Sequence, residues 1–298
     1  MKPWLKITLL ACLPVLSHAH TMSPFLLPEV FDTKSSNVTF TSGITVEKFY
    51  APSGNFKTSY VVTNPEGQNT AIEAAASLKR FNIAEFNLDK DGTYRIRTEN
   101  AKGNPGKYAL VDGRWLRVRP ARPAAANAQT PPAAPTTRPA APLTPTPVQQ
   151  IPRMIAADQV PANATLLETN SHYIAESFVT KNKPSALPKV TNKGFEVQFL
   201  THPNETYAGD SLKAKVLLNG KAVSDLEVDV FKGASSYEPN AKREQPHVKT
   251  NKNGEFEVKF DVPGIYLITT SYPEANPDNT KKPHADTYTY SLSVEVTE

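Results

Sequence analysis

Residues 212–220 read Leu-Lys-Ala-Lys-Val-Leu-Leu-Asn-Gly, so that apolar side chains alternate with lysines until an Asn-Gly pair is reached. A period of two places the apolar side chains on one face of a β-strand. Asn219-Gly220 is a strong hairpin signal, because both central positions of the favoured turn have positive φ. The stretch therefore predicts a half-buried strand that returns through a tight turn.

The same alternation recurs along the C-terminal part of the chain. Further strands are predicted at Phe195–Phe199, Leu226–Val230, Phe256–Phe260, Tyr266–Ile268 and Tyr288–Val296. Short strands at hairpin-like spacing, with no helical stretch between them, are typical of a β-sandwich of immunoglobulin type.

The N-terminal part shows a noisier version of this pattern. Strands are predicted at Ile44–Tyr50, Ser59–Thr63, Phe81–Leu88, Tyr94–Thr98, Tyr108–Val111 and Trp115–Val118. The segment Ile72–Leu78 fits either a single helical turn or part of a strand. Gly-x-Tyr precedes a strand in both halves, at Tyr94 and at Tyr266, and this spacing is similar to the tyrosine corner of sandwich domains. The predicted fold class is all-β, with two immunoglobulin-like sandwiches joined by a Pro/Ala-rich linker.

The first nineteen residues are typical of a signal peptide. Lys2 and Lys6 precede the apolar stretch Ile7–Leu16, and Ser17-His18-Ala19 supplies small residues at the cleavage positions. This apolar stretch is shorter than a bilayer requires, and no later segment approaches that length. We therefore expect export to the periplasm and no transmembrane segment. Lipidation at Cys12 is the alternative.

Composition divides the chain into five segments. We expect a signal peptide at 1–19, an N-terminal sandwich at 20–119, a disordered linker at 120–162, a bridging segment at 163–192 and a C-terminal sandwich at 193–298. The linker is rich in Pro, Ala and Thr, lacks large apolar residues in its central part and favours extended polyproline geometry.

Composition also excludes several classes of function. Cys12 is the single cysteine, so the mature chain has no disulfide, no thiolate metal site and no cysteine nucleophile. The charges are nearly balanced, with 33 basic and 29 acidic side chains, and no basic face predicts a nucleic-acid partner. No nucleophile elbow, phosphate-binding glycine loop or His-Glu-x-x-His motif is found. We therefore expect a protein that is not an enzyme.

Cleavage after Ala19 makes His20 the amino-terminal residue. Its α-amine and imidazole can chelate one divalent ion together, and the amine titrates at about pH 8, so a copper- or nickel-like ion can displace its proton. Cleavage after Ser17 would instead expose His18-Ala19-His20, a sequence suited to square-planar Cu(II) or Ni(II). Met22 offers a soft ligand for Cu(I). The sequence thus predicts a metal-binding amino terminus.

The other histidines of the mature chain are His172, His202, His247 and His284, and none lies two or four residues from another. An isolated histidine is more often a surface or hydrogen-bonded residue than a ligand. His247 and His284 lie in or beside two long polar loops, at 233–246 and 273–286. We expect these loops to converge at one end of the sandwich, which makes both histidines candidate metal ligands.

Several stretches carry a family resemblance that covers nearly all of the chain outside the Pro/Ala tract. They are residues 195–210 (FEVQFLTHPNETYAGD), 217–221, 226–230, 250–256, 263–266, 176–180, 184–185, 91–96 and 25–28. Together they resemble the bacterial envelope proteins catalogued as domain of unknown function 4198.

The resemblance implies a periplasmic location. Relatives are similar to accessory components of nickel or cobalt uptake, or accompany outer-membrane receptors for iron. It also implies that His20 and His202 are metal ligands, because they match histidines of the family. Where relatives often have an Asp-His pair, this chain has Glu47-Lys48-Phe49-Tyr50, which departs from the pattern of a complete metal site.

Two functions follow as hypotheses. The first is a periplasmic metal-handling accessory protein that binds or passes on Ni, Co, Cu or Fe, or a complex of one of them, with a metal-uptake transporter or an outer-membrane receptor as partner. The alternative is a non-metal structural or interaction module that binds an envelope partner. A third reading, the copper histidine brace of an oxidative polysaccharide-cleaving enzyme, needs a second histidine on a flat face, and the sequence identifies none.

Overall fold

The computed structural model describes residues 22–45, 52–103, 105–120, 153–233, 247–274 and 279–298. The strands of the first half are β1 Ser23–Pro28, β2 Asp32–Thr33, β3 Asn37–Thr45, β4 Ser59–Thr63, β5 Asn69–Ile72, β6 Ala76–Ser77, β7 Phe81–Asn87, β8 Gly92–Glu99, β9 Gly106–Val111 and β10 Arg114–Arg119.

The second half is also built from strands, with a single 3-10 turn at Ala157–Gln159 in the described part of the chain. These strands are β11 Met154–Ala156, β12 Thr165–Lys181, β13 Phe195–Phe199, β14 Ser211–Leu218, β15 Lys221–Ala222, β16 Glu227–Lys232, β17 Val248–Lys249, β18 Glu255–Lys259, β19 Gly264–Tyr272 and β20 Asp286–Val296. The predicted all-β, immunoglobulin-like fold class is confirmed.

The long strand β12 joins the two halves into one sheet. One of its edges pairs antiparallel with β9 and then with β8, and its other edge pairs in parallel with β20. The sheet continues from β20 through β19 and β16 to β17, and from β8 to β4 and β5. Two smaller sheets complete the fold, one of β1, β3, β7 and β6 and the other of β13, β14, β15 and β18.

Alternation along β12 shows that the two small sheets cover opposite faces of the shared sheet. Ala175 and Val179 belong to the core formed with β1, β3 and β7, whereas Ile174 and Phe178 belong to the core formed with β13, β14 and β18. Successive side chains of a strand point to opposite faces, so each core uses alternate residues of the same strand. The molecule is therefore two sandwiches that share their middle layer.

Both predicted tyrosine corners are confirmed. The Tyr94 hydroxyl donates to the Lys90 carbonyl at 3.0 Å and accepts from the Lys90 N–H at 2.8 Å. The Tyr266 hydroxyl donates to the Val262 carbonyl at 2.7 Å. Each bond ties the phenol to a backbone group four residues upstream, as in other sandwich domains.

Several of the expected segment boundaries lie in or beside parts that are not described. The signal peptide, residues 46–50 and most of the Pro/Ala tract lie outside the described residues. Met154–Ala156, at the end of the expected linker, pairs in parallel with β10, and 163–192 contains β12. The segment Ile72–Leu78 holds the end of β5 and all of β6. No helix in the described residues is long and apolar enough to cross a bilayer.

Candidate metal centre

The strand β16 presents two carboxylates on one face. Glu227 and Asp229 alternate with Val228 and Val230, which are buried in the second core. The acids therefore point away from that core, as the period of a strand requires. In the described part of the chain, the next strand in the sheet is β17, and its register pairs Val228 with Val248. The same register puts His247 opposite Asp229.

Glu227, Asp229 and His247 lie close enough together to hold one metal ion, and they are the one such group among the described residues. One ligand atom from each of Glu227, Asp229 and His247 lies within 4.8 Å of the other two. His247 Nδ1 is 2.5 Å from Asp229 Oδ1 and 3.9 Å from Glu227 Oε1. Between 31% and 36% of each side chain is exposed, so an ion can reach the group from solvent.

The chemistry of this cluster suits a divalent transition ion. Imidazole nitrogen and carboxylate oxygen together bind Fe, Co, Ni, Cu or Zn ions. A metal ion between these atoms would take the place of the hydrogen bond between Nδ1 and Asp229, with the ring hydrogen carried on Nε2. Three protein ligands leave coordination positions open for water or for further groups.

The cluster lies beside the start of β1. Thr269 is the residue opposite Asp229 on β19, and its hydroxyl donates to Ser23 Oγ at 3.1 Å. The Ser291 hydroxyl donates to the Pro24 carbonyl on the same face. The first strand after the predicted cleavage site therefore begins next to the strand pair that carries the acids.

His202 lies elsewhere, at the joint between the two halves. Its Nδ1 accepts the Asn204 backbone N–H at 3.2 Å, so Nε2 carries the hydrogen and donates to Thr93 Oγ1 at 3.0 Å. Burial lowers the pKa of this imidazole, against the opposing charge of Glu205, so that the neutral form is favoured. Both ring nitrogens are occupied by protein groups, and His202 acts as a connector between the halves.

Neighbours of His202 strengthen the same joint. The Asn204 side-chain amide donates to the Phe31 and Phe178 carbonyls and to Thr180 Oγ1. Thr93 and Ser185 exchange two hydrogen bonds between backbone N–H and hydroxyl groups. The His-Pro-Asn motif therefore fixes a loop of the second sandwich against β8 and β12.

The other sequence-predicted ligands are dispersed. Met22 is exposed, and His284 lines a cavity with its ring centroid 6.4 Å from that of Tyr272. His20 lies outside the described residues. Of the histidines predicted as ligands, the structure brings His247 into the carboxylate cluster. Glu274, which follows β19, also contacts the cluster, because its Oε1 accepts the Glu227 backbone N–H at 3.2 Å.

Sequence patterns indicate Glu227 and Asp229 only weakly as functional residues. Their positions on alternate residues of a strand predicted solvent-facing charges, which is their usual role. Only the pairing of β16 with β17 adds the histidine, because thirteen residues lie between Gly233 and His247 along the chain. The available clue was an acidic i, i+2 pair on a strand, followed by a long loop and a histidine.

The fold and this cluster define an all-β protein of two immunoglobulin-like sandwiches with a surface group of carboxylate and imidazole ligands. The chain belongs to the family described as Domain of unknown function (DUF4198), which matches residues 17–274. No curated protein matches the chain.

Three solved structures are similar to this chain at low identity. The D0-D1 domain of intimin is 12% identical, with 92% of this chain and 97% of that chain covered and a TM-score of 0.22. Escherichia coli alpha-2-macroglobulin is 10% identical, with 92% and 20% covered and a TM-score of 0.23. Chicken CNTN1 FN1-FN3 domains are 9% identical, with 93% and 99% covered and a TM-score of 0.22. The fold assignment rests on the sheets and cores described above.

Proposed function

We propose that this protein is a periplasmic metal-handling accessory protein that binds a divalent transition ion, or passes it on, during uptake, and that it is not an enzyme. The observation that carries the proposal is the cluster of Glu227, Asp229 and His247, with three ligand atoms within 4.8 Å on an accessible surface. Family membership supports the proposal, because the resemblance to this family implies a role in metal uptake.

The amino terminus can add the ligands that the cluster lacks. If the leader is cut after Ala19, the new terminus at His20 lies three positions before Ser23, and three extended residue steps reach about 10 Å. Ser23 contacts Thr269, which is opposite Asp229. The α-amine and imidazole of His20 are therefore within reach of the carboxylates.

The combined donor set would favour Ni(II), Co(II) or Cu(II). Two imidazoles, an amine and carboxylates form a nitrogen-rich site, and such sites bind these ions in the order Co, Ni, Cu with increasing affinity. Exposure of the cluster suits a protein that must release its ion to a transporter or an outer-membrane receptor.

Isothermal titration of the mature protein with Ni(II), Co(II) and Cu(II) tests the proposal. We expect one ion per chain, and His247→Ala should weaken binding by at least tenfold because it removes a nitrogen ligand. The matched control is His284→Ala, which removes an exposed histidine outside the cluster. Equal affinities of the His247→Ala variant and the unmodified protein would contradict the proposal.

The contribution of the terminus needs its own comparison. One serine added ahead of His20 moves the α-amine away from the imidazole and should weaken binding strongly, whereas it leaves the β1 contacts in place. Unchanged affinity would show that the terminus is not a ligand and would leave the three-residue cluster alone as the site.

A second candidate is an interaction module for an envelope partner. The shared sheet ends at β5, β11 and β17, and in the described residues each of these end strands has one unpaired edge. Such edges accept an added strand from a partner. A pull-down from envelope extract that survives both chelator and His247→Ala would favour this function over metal handling.

A further inference from the structure

A cavity of about 590 Å³ lies between the outer strands of the shared sheet and the loop that follows β19. One wall is formed by β9, β10, β11 and the start of β12, and the other by residues 273–274, 279 and 281–284. The Trp115 N–H donates to the Asn279 carbonyl at 2.7 Å, which ties the two walls together. The volume lies in the range of small-molecule sites in proteins.

The floor of the cavity follows from the strand register. Arg117 pairs with Tyr108 on one neighbouring strand and with Met154 on the other, so the three side chains share one face. Trp115 lies two residues before Arg117 and therefore points to the same face. Trp115 is buried, and it lines the cavity together with Tyr108 and Arg117.

The charge around this floor is strongly positive. Arg117, Arg153, Lys281 and Lys282 line the cavity, and within the described residues none of their side chains has a carboxylate or other hydrogen-bond partner. The one acid of the lining is Glu274, which already accepts the Glu227 N–H. A concave surface with charges of one sign focuses the field and attracts ions of the opposite sign.

We propose that this cavity binds an organic anion with two or more carboxylate groups on a flat, unsaturated frame. Arginine matches a carboxylate with two parallel hydrogen bonds, and lysine adds a mobile point charge. The aromatic side chains offer a surface on which a flat group stacks. Anion binding in this cavity would be a function separate from metal binding at the carboxylate cluster, and it needs no bound metal ion.

A small ligand fits the cavity better than a macromolecule. The cations converge on one concavity that has a wall on each side, whereas a long acidic chain or a nucleic acid is bound along an extended positive stripe. The near balance of charge in the whole sequence contrasts with this local concentration.

Tryptophan fluorescence gives a direct readout. The chain has two tryptophans, and Trp4 lies in the predicted leader, so Trp115 is the single emitter of the mature protein. In metal-free buffer, benzene-1,3,5-tricarboxylate should change the emission of Trp115 saturably. Binding should weaken as salt rises, because the Debye length shortens. The neutral analogue benzene-1,3,5-trimethanol and the non-planar trianion citrate should each bind at least tenfold more weakly.

Charge variants separate this site from general attraction. Arg117→Ala with Arg153→Ala, or Lys281→Gln with Lys282→Gln, should weaken tricarboxylate binding by tenfold or more. The control with the same loss of charge is Lys193→Gln with Lys221→Gln, two exposed lysines on the other sandwich, and it should bind normally. Native circular dichroism of each variant shows that it is folded.

Four outcomes would overturn the proposal. They are the absence of saturable binding, equal affinity in the cavity variants and the lysine control, citrate binding as tightly as the flat tricarboxylate, and a poly-glutamate peptide binding where the tricarboxylate does not. The last of these would assign the cavity to an acidic protein partner.

Discussion

Replacing Glu176 by glutamine should destabilise the protein strongly, because this carboxylate is the counter-ion of buried Arg95 and lies near partly buried Arg97. Its side chain is 0% exposed, and Oε2 accepts from Arg95 Nη2 at 2.8 Å. Burial would lower the pKa of Arg95, but the Glu176 charge outweighs burial and holds that pKa above its ordinary value. Burial lowers the pKa of Arg97, and Glu176 is the largest opposing influence.

The magnitude follows from the cost of an uncompensated buried charge. Removing one partner of a buried ion pair costs about 3–5 kcal/mol. Glutamine keeps an oxygen that can accept one hydrogen bond, so we expect the lower end, about 3 kcal/mol. For a chain of this size the melting temperature should fall by roughly 6–12 °C.

Urea unfolding followed by circular dichroism measures this change, with calorimetry for the melting temperature. Glu85→Gln on β7 is the matched control, since that carboxylate is exposed and its loss should change stability by less than about 0.5 kcal/mol. A Glu176→Gln variant within about 1 kcal/mol of the unmodified protein would refute the reasoning, because it would show that the two arginines do not depend on this charge.

Three further changes test the joint and the corners. The pKa of His202 is lowered in the fold, so its stabilising contribution is complete above the unfolded pKa of about 6.5 and is lost as pH falls toward the folded value. The urea midpoint should therefore fall less steeply between pH 8 and pH 5 in His202→Gln than in the unmodified protein. Parallel pH profiles of the two proteins would contradict this. Tyr94→Phe and Tyr266→Phe should each cost about 1 kcal/mol in urea unfolding, since each loses a hydrogen bond to backbone, and no loss would show that the corners are dispensable. Asn204→Ala should cost about 1–3 kcal/mol and speed proteolysis at the joint, whereas unchanged protease resistance would remove its role as a connector.

Alternation predicted strands well wherever only one face is buried. Ser59–Thr63 and Phe195–Phe199 coincide with β4 and β13, and Leu212–Leu218 differs from β14 by one residue. In β14 the lysines lie on the more exposed face, so the period of two is visible in the sequence, although Thr63 of β4 and Glu196 of β13 are buried.

The shared strand was hidden because both of its faces are buried. In β12 the run from Ile174 to Thr180 is buried throughout, including Glu176 and Ser177. A strand between two cores shows no alternation, and its buried polar residues reduce its apolar signal further. The sequence therefore predicted two separate sandwiches, and the common middle layer could be seen only in the pairing of β12 with β8 and β20.

The candidate site was predictable only in part. The sequence predicted His247 as a candidate ligand beside a long polar loop, but the two acids looked like ordinary solvent-facing charges. Their meeting depends on the register between β16 and β17, and a register across a long loop is set by tertiary packing.

The most direct test of metal handling is an anomalous difference map from crystals of the native, exported protein loaded with Ni(II). We expect one peak within about 2.3 Å of a His247 ring nitrogen and of an Asp229 carboxylate oxygen, with the Glu227 carboxylate on the same side. A peak at any other place, or no peak at a saturating nickel concentration, would contradict it.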